Sequence, residues 1–190
     1  MAKNFIFLEV TDPEINSLVR EMREIADAAP AHSNVHITIR GPYDRAVPAE
    51  NLKRYERILS SDPIVLNGVG MFRGTKRHVV YMKVQHPKLR RIWWKPDFPI
   101  SKYGFNPHIT LYEGSDPDRA ARLLWFLQRE QLKLLTWQFI VSPYVTAQAD
   151  LFPTQTNGSR LFLNLVNASM VRADILSRLD KCLRTKNQVA

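Results

Sequence analysis

The chain of 190 residues contains a single cysteine, Cys182, which excludes an internal disulfide bond. It also lacks any run approaching the roughly 18 apolar residues that a membrane-spanning helix requires. The short apolar run of the first ten residues is interrupted at Glu9 and has no small-residue cleavage site, which favours a strand over a signal peptide. We therefore expect a cytoplasmic protein that is not associated with a membrane.

Acidic residues are fewer than basic ones: 18 Asp and Glu stand against 27 Lys and Arg, giving a formal net charge of +9. This balance indicates an anionic partner, either nucleic acid or a phosphorylated small molecule, although a basic surface only permits such binding. The sequence has no Gly-x-x-x-x-Gly-Lys motif, so ligation driven by a nucleoside triphosphate at a P-loop is not supported.

Helical and strand patterns alternate along the chain. Apolar residues at helical spacing follow "TDPE" at position 11 and "SDPD" at position 115, while "NFIFLEV", "NVHITIRGPY" and "PHITLYEG" predict strands. The segment "PIVLNGVGMFRGTKRHVVYMKVQ" predicts a hairpin, and strands are expected within "LLTWQFIVSPYV" and at "RLFLNLV" before a last helix. The prediction is an α+β protein with mainly antiparallel sheets, folded as one domain over residues 1–190.

Two stretches, "VHITIRGPY" at position 35 and "PHITLYEG" at position 107, repeat the tetrad His-Ile-Thr-aliphatic. The chain has five histidines, and two such tetrads are expected by chance in only about one chain in a few hundred. Side chains alternate along a strand, so His36 shares a face with Thr38, and His108 shares a face with Thr110. The same alternation predicts that Arg40 and Tyr112 continue these two polar faces.

A pair of histidines suits acid–base chemistry near neutral pH, because one imidazole acts as general base and the other as general acid. Threonine hydroxyls donate hydrogen bonds to phosphate oxygens that carry charge in the transition state. The polar faces offer no nearby Asp, Cys or third His that would complete a metal site, and Glu113 has the wrong parity. The residues therefore predict phosphodiester chemistry without a metal or another cofactor.

The paired tetrads resemble those of the two-histidine (2H) phosphoesterase superfamily, which includes RNA 2',3'-cyclic phosphodiesterases and enzymes described as 2'-5' RNA ligases. The "HITIRGPY" stretch is similar to the first motif of that family, and "FNPHITLYEG" is similar to the second. The resemblance implies a bilobal fold with two antiparallel sheets related by a pseudo-twofold axis, helices outside and one tetrad per lobe in a central cleft.

By this resemblance His36 and His108 are the catalytic acid and base, assisted by Thr38 and Thr110, and Arg40 adds a charged donor to the phosphate. Tyr43, Phe72, Tyr103 and Tyr112 are candidate surfaces for stacking a base, with core packing as the alternative for each. The expected substrate is a nucleotide or RNA with a 2',3'-cyclic phosphate or a 2'-5' linkage, cleaved by a monomer. The alternatives are a noncatalytic nucleotide- or RNA-binding module and a 3'-end RNA exonuclease.

Overall fold

The computed structural model of this protein describes residues 3–26, 34–93, 104–146 and 168–184. Within these ranges the chain forms seven strands and five helices. In chain order they are β1 Asn4–Val10, α1 Pro13–Ile25, β2 His36–Tyr43, α2 Ala49–Leu59, β3 Ile64–Arg73, β4 His78–Gln85, α3 Leu89–Ile92, β5 His108–Gly114, α4 Pro117–Glu130, β6 Lys133–Thr136, β7 Phe139–Val145 and α5 Ala168–Arg184.

The strands form two antiparallel sheets, one with the order β2-β1-β7 and one with the order β5-β4-β3-β6. The predicted α+β class with two mainly antiparallel sheets is confirmed. The predicted hairpin is also present, since β3 and β4 are consecutive strands paired side by side. No helix in the described ranges is both long and apolar enough to cross a bilayer.

The two sheets contain the same arrangement twice, with one strand exchanged. The first half of the chain runs β1, α1, β2, α2 and β3, and the second half runs β4, α3, β5, α4 and then β7, with β6 as an addition. The third strand of each half joins the sheet of the other half, because β3 pairs with β4 and β7 pairs with β1. Neither sheet is therefore complete without both halves of the chain.

The helices follow the same exchange. Helix α1 packs against β5 and α3 packs against β2, each on the sheet of the opposite half, while α2 lies on β7 and α4 lies on β3 and β4. Helix α5 packs against α1 and α4. The buried apolar side chains of all these elements form one continuous cluster, so the hydrophobic core joins both sheets.

The two long helices of the first and second halves begin with the same cap. The carboxylate of Asp12 accepts from the backbone N–H groups of Glu14 and Ile15, and Asp116 accepts from those of Asp118 and Arg119. Both caps are followed by proline at the first helical position, where the missing N–H has no intrahelical partner to lose. The repeated Asp-Pro in the sequence is thus a repeated helix start.

One predicted strand divides into two. The "LLTWQFIVSPYV" segment forms β6 and β7, which belong to different sheets, because the chain leaves one sheet at Thr136 and enters the other at Phe139. Helix α1 ends at Ile25, although its apolar spacing extends to Ala29 in the sequence. Ala29 and the predicted strand "RLFLNLV" lie outside the described residues.

We predict that Asp12→Ala destabilises the fold more than Asp116→Ala. Each substitution removes a helix cap and costs about 1 kcal/mol. The second carboxylate oxygen of Asp12 also accepts from the buried hydroxyl of Thr136 at 3.0 Å, and leaving that donor unsatisfied costs about 1–3 kcal/mol more. Urea denaturation of both variants checks this, and equal losses for the two would contradict the role given to Thr136.

Candidate active site

The two tetrads lie on strands β2 and β5, which are the terminal strands of their sheets within the described ranges and contact each other. Ile37 and Ile109 are fully buried, whereas both histidines and both threonines are half-buried. The structure thus brings the two predicted pairs, His36 with Thr38 and His108 with Thr110, to one seam between the sheets. Neither threonine hydroxyl is bonded to another residue in the described part of the chain, so both stay available to a ligand.

Each imidazole is oriented by a backbone carbonyl two residues before it. Nδ1 of His36 lies 2.9 Å from the carbonyl oxygen of Asn34, and Nδ1 of His108 lies 2.7 Å from that of Asn106. A carbonyl oxygen only accepts, so Nδ1 carries the hydrogen in both rings and Nε2 is the nitrogen that exchanges a proton. The same tautomer is therefore set twice by the same local bond.

Each histidine also rests on an aromatic side chain of the neighbouring strand. The ring of Phe7 stacks on His36 with centroids 4.0 Å apart and is itself stacked on Tyr144 at 4.6 Å. In the other sheet, Tyr81 contacts His108 at 4.7 Å, and Phe72 contacts Tyr81 at 4.6 Å. In each sheet, three adjacent strands thus contribute one ring each, a histidine and two aromatic side chains. This packing restricts rotation of the imidazoles.

The register makes these aromatic residues equivalent. Phe7 pairs with Thr38, and Tyr81 pairs with Thr110. Sequence reasoning did not single out Phe7 or Tyr81, because each reads as an ordinary apolar residue of a strand and only strand pairing places it beside a histidine.

Two asparagines form a further repeated feature that the motif analysis missed. The side-chain amide of Asn34 donates to the carboxylate of Glu9 at 3.0 Å, and that of Asn106 donates to the hydroxyl of Tyr81 at 2.9 Å. These bonds tie the residue whose carbonyl orients each imidazole to the neighbouring strand. The sequence does carry this pattern, since "NVHIT" and "NPHIT" both read Asn-x-His-Ile-Thr.

A β-bulge follows the threonine in both tetrad strands. In β2 the register passes from Thr38 opposite Phe7 to Arg40 opposite Ile6, which leaves Ile39 as an extra residue. In β5 Thr110 lies opposite Tyr81 and Tyr112 lies opposite the adjacent residue Val80, which leaves Leu111 as the extra residue. A bulge interrupts side-chain alternation, so the predicted faces end at the threonines.

Tyr112 consequently does not share the face of His108 and Thr110. Its side chain is only 3% exposed, lies in the core and donates a long hydrogen bond of 3.4 Å to the carbonyl of Asp116. Gly114 leaves the space that the ring occupies, because a Cβ there would lie 2.2 Å from the Tyr112 hydroxyl. The structure places Tyr112 as a packing residue, the alternative reading of the sequence.

Arg40 is held beside Tyr43 and the end of helix α3. Its Nε donates to the hydroxyl of Tyr43 at 2.8 Å, and one terminal nitrogen donates to the carbonyl of Ile92 at 2.9 Å. These bonds join β2 to the helix that packs on it. The structure thus places Arg40 next to Tyr43, and the β-bulge at Ile39 separates both from His36 and Thr38.

The remaining stacking candidates differ in what the structure shows. Phe72 is 36% exposed and its ring meets His108 edge-on at 5.4 Å, so it has an accessible face beside the second tetrad. Tyr103 lies outside the described residues.

Burial lowers the pKa of His36, and this is the largest effect on the ring. The carbonyl of Asn34 raises the pKa, while the positive charge of Arg23 lowers it; the smaller influence of Glu9 raises it and that of His108 lowers it.

The pKa of His108 is also lowered, with burial as the main cause and the hydrogen bond to Asn106 acting against it. Both rings therefore favour the neutral form, which is the form that accepts a proton at Nε2.

Arg23 is a charged residue that the sequence analysis did not identify. It lies in the last turn of α1, is buried, and donates from Nε to the backbone carbonyl of Thr110 at 2.9 Å. A signal exists in the sequence, because position 23 follows Val19 by four residues and thus falls on the apolar face of the helix.

His86 lies outside the two tetrads and has a packing role. His86 is buried, and its Nε2 lies 2.9 Å from the carbonyl of Leu59, which assigns it to packing between α2 and β4. A surface depression of about 650 Å³ beside it, lined in part by Arg90 and Phe105, contains no tetrad residue.

No group of three or more His, Cys, Asp or Glu side chains suited to a metal ion occurs among the described residues.

The family model of the 2'-5' RNA ligase superfamily matches residues 11–144, which include both tetrads. The chain belongs to this superfamily, the 2H phosphoesterases. Its members cleave or join phosphodiester bonds and act on RNA or nucleotide substrates. No curated protein matches the chain in sequence. The predicted 2H phosphoesterase membership and fold are confirmed.

We predict that His36 and His108 titrate below the ordinary histidine pKa of about 6.5. Burial penalises the imidazolium form, so each ring binds its proton more weakly in the folded protein than in the unfolded chain. NMR titration of the ring protons, in buffer and again in urea, checks this. Midpoints in the folded protein at or above those in urea would contradict the expected burial effect.

Proposed function

We propose that this 2H phosphoesterase is a metal-independent phosphodiesterase that cleaves a 2',3'-cyclic phosphate, or a related 2'-5' or cyclic nucleotide linkage, with His36 and His108 as its acid–base pair. The observation that carries this proposal is the pair of imidazoles on contacting strands, each with Nδ1 bonded to a backbone carbonyl. Both Nε2 atoms are thereby left for proton transfer, and in this proposal they act on the two sides of one phosphate. We further infer that residues 1–190 act as one bilobal domain, since the described core is continuous.

In the proposed reaction one Nε2 accepts a proton from water, and the water oxygen forms a bond to phosphorus. The bond between phosphorus and one ribose oxygen breaks as the other imidazolium donates its Nε2 proton to that oxygen. The product is a ribose phosphate monoester, and the two histidines end with exchanged protonation states. The lowered pKa of both rings supports the base role, and phosphate binding favours the protonated state that the acid role requires.

The threonines supply the neutral donors in this proposal. Thr38 and Thr110 follow their histidines on the same strand face, and their hydroxyls would donate to the two nonbridging phosphate oxygens. We propose that Phe72 stacks a base of the substrate, because its ring is partly exposed and also contacts His108. Arg40 is proposed as a more distant phosphate contact, whose reach is limited by its bonds to Tyr43 and Ile92.

The net charge of +9 also suits a longer RNA, so a 3'-end exonuclease on the same scaffold is the second candidate. A long substrate makes many phosphate contacts and binds with strong salt dependence, whereas a cyclic mononucleotide does not. Comparing kcat/KM for both substrates across a salt series therefore separates the two functions.

We expect His36→Ala and His108→Ala each to lower kcat by about 10²–10⁴-fold, because each removes a general acid or base. The assay is turnover of 2',3'-cyclic mononucleotides, cyclic dinucleotides, 2'-5' oligoadenylate and 3'-end-labelled RNA with EDTA present. His78→Ala is the matched control, since His78 lies at the start of β4 opposite Gly114, three positions before the Tyr81 that pairs with Thr110. Binding of nucleotide without cleavage of any substrate would favour the binding-module alternative.

The pH profile of kcat/KM should be bell-shaped with its maximum below about pH 6.5, since it reports the free enzyme and both histidines have lowered pKa values. The profile of kcat should lose activity at a higher pH, because the bound phosphate anion stabilises the imidazolium that acts as the acid. Steady-state kinetics between pH 4.5 and 8.5 measures both limbs. A kcat/KM that rises steadily through pH 8 would contradict two titrating histidines.

A further inference from the structure

Arg23 of helix α1 lies beside the second tetrad strand, β5, which contacts the first tetrad strand, β2. Its Nε bonds the carbonyl of Thr110 in the second tetrad at 2.9 Å, and its positive charge lowers the pKa of His36 in the first. Strand β5 is the terminal strand of its sheet in the described part of the chain, so the Thr110 carbonyl lies at an edge that no further described strand covers. The guanidinium thus bonds the second motif and acts electrostatically on the histidine of the first.

The charge of Arg23 has no counter-ion in the described part of the chain. The side chain is only 7% exposed, yet no ion pair with Asp or Glu is formed by it there. Burial and the neighbouring charge of Arg20 lower the pKa of Arg23 to about 10, which still leaves it protonated at neutral pH. A buried cation without an anion is costly, and proteins normally pair such groups.

Two other semi-buried arginines of the described residues, Arg119 and Arg172, show the usual solutions. Arg119 donates to the carbonyls of Ala26 and Ile25, which satisfies the carboxyl end of α1. Arg172 pairs with the carboxylates of Glu14 and Glu21. Among the described residues Arg23 makes one bond, through Nε, and its terminal nitrogens are neither bonded nor fully buried, so they keep access to solvent beside the second tetrad strand. Four N–H donors are therefore available there.

We propose that Arg23 binds the negatively charged phosphate oxygens of the substrate between the two motifs. The substrate anion would supply the missing counter-charge, and the planar guanidinium suits two phosphate oxygens at once. The bond from Nε to the carbonyl of Thr110 fixes the orientation of the guanidinium, so the second tetrad strand itself positions the terminal nitrogens. The inference rests on the proposed function for its substrate, but the geometry of Arg23 does not depend on it.

The test measures binding of inorganic phosphate to the wild-type protein and to Arg23→Met, Arg23→Lys and Arg20→Met by calorimetry at constant ionic strength. Arg20→Met is the matched control, because it removes the same charge from an exposed position on the same helix. We expect Arg23→Met to raise the dissociation constant by about 10–100-fold, as for a lost charge-assisted pair of hydrogen bonds. Arg23→Lys should lie between, and Arg20→Met should stay within about twofold of wild type.

Thermal unfolding separates this role from a purely structural one. Phosphate should raise the Tm of the wild type and of Arg20→Met, but not that of Arg23→Met, because only a bound ligand stabilises the folded state by mass action. The proposal is overturned if the wild type does not bind phosphate. It is also overturned if Arg23→Met has a lowered Tm while its phosphate affinity and its phosphate-dependent Tm shift are unchanged, since Arg23 would then only support Thr110.

Activity and binding fail independently in this design. If phosphate binding depends on Arg23 but no substrate of the nucleotide panel is cleaved, the anion site stands and the proposed phosphodiesterase function is lost. If the panel is cleaved and kcat/KM is the same for Arg23→Met and the wild type, the function stands and the inference about Arg23 is wrong.

Discussion

The pairing of each tetrad strand with its inner neighbour is the constraint on which the candidate site depends. Pairing Thr38 with Phe7 places an aromatic ring against His36, and pairing Thr110 with Tyr81 does the same for His108. A shift of either register by one residue would turn the histidine toward the core and the adjacent isoleucine toward the seam. The buried isoleucines oppose that shift, so hydrophobic burial and imidazole orientation are set by one register.

The exchange of β3 and β7 between the sheets explains why the two tetrads keep a defined relation. Phe72 of β3 and Tyr144 of β7 form the outer end of each aromatic group, and each belongs by chain order to the opposite half. Helices α1 and α3 likewise pack on the tetrad strand of the opposite half. Moving one half against the other would break strand pairing and core contacts together, so the distance between the histidines is held by the whole fold.

Much of the fold and the central residues of the site could be predicted from the sequence, because periodicity reports local structure. The alternation around His36 and His108 marks strands with one buried face, and Asp-Pro marks two helix starts. The β-bulges could not be predicted in this way, since nothing in "HITIRGPY" shows that Ile39 lacks a partner across the strands. Tyr112 was therefore assigned to the wrong face, and Arg23 was missed because its relation to Thr110 spans 87 residues.

The two halves are alike in backbone and aromatic packing but differ in charge. The position opposite His36 is Glu9, whereas the position opposite His108 is Lys83. Glu9 is engaged by the side chains of Asn34 and Ser142, so it is held as part of the scaffold. Pseudo-symmetry thus positions two equivalent imidazoles, while the unequal charges around them give each half a different electrostatic setting.

Arg23 connects this electrostatic setting to stability. In the free protein its buried charge is uncompensated by the described residues, so the folded state carries an energetic cost at the seam. An anion bound between the tetrads would remove the cost and meet both histidines in the same step. Phosphate binding would then also supply the counter-charge of Arg23. Because this charge pair forms beside the histidines, its binding energy would be available at the atoms that react.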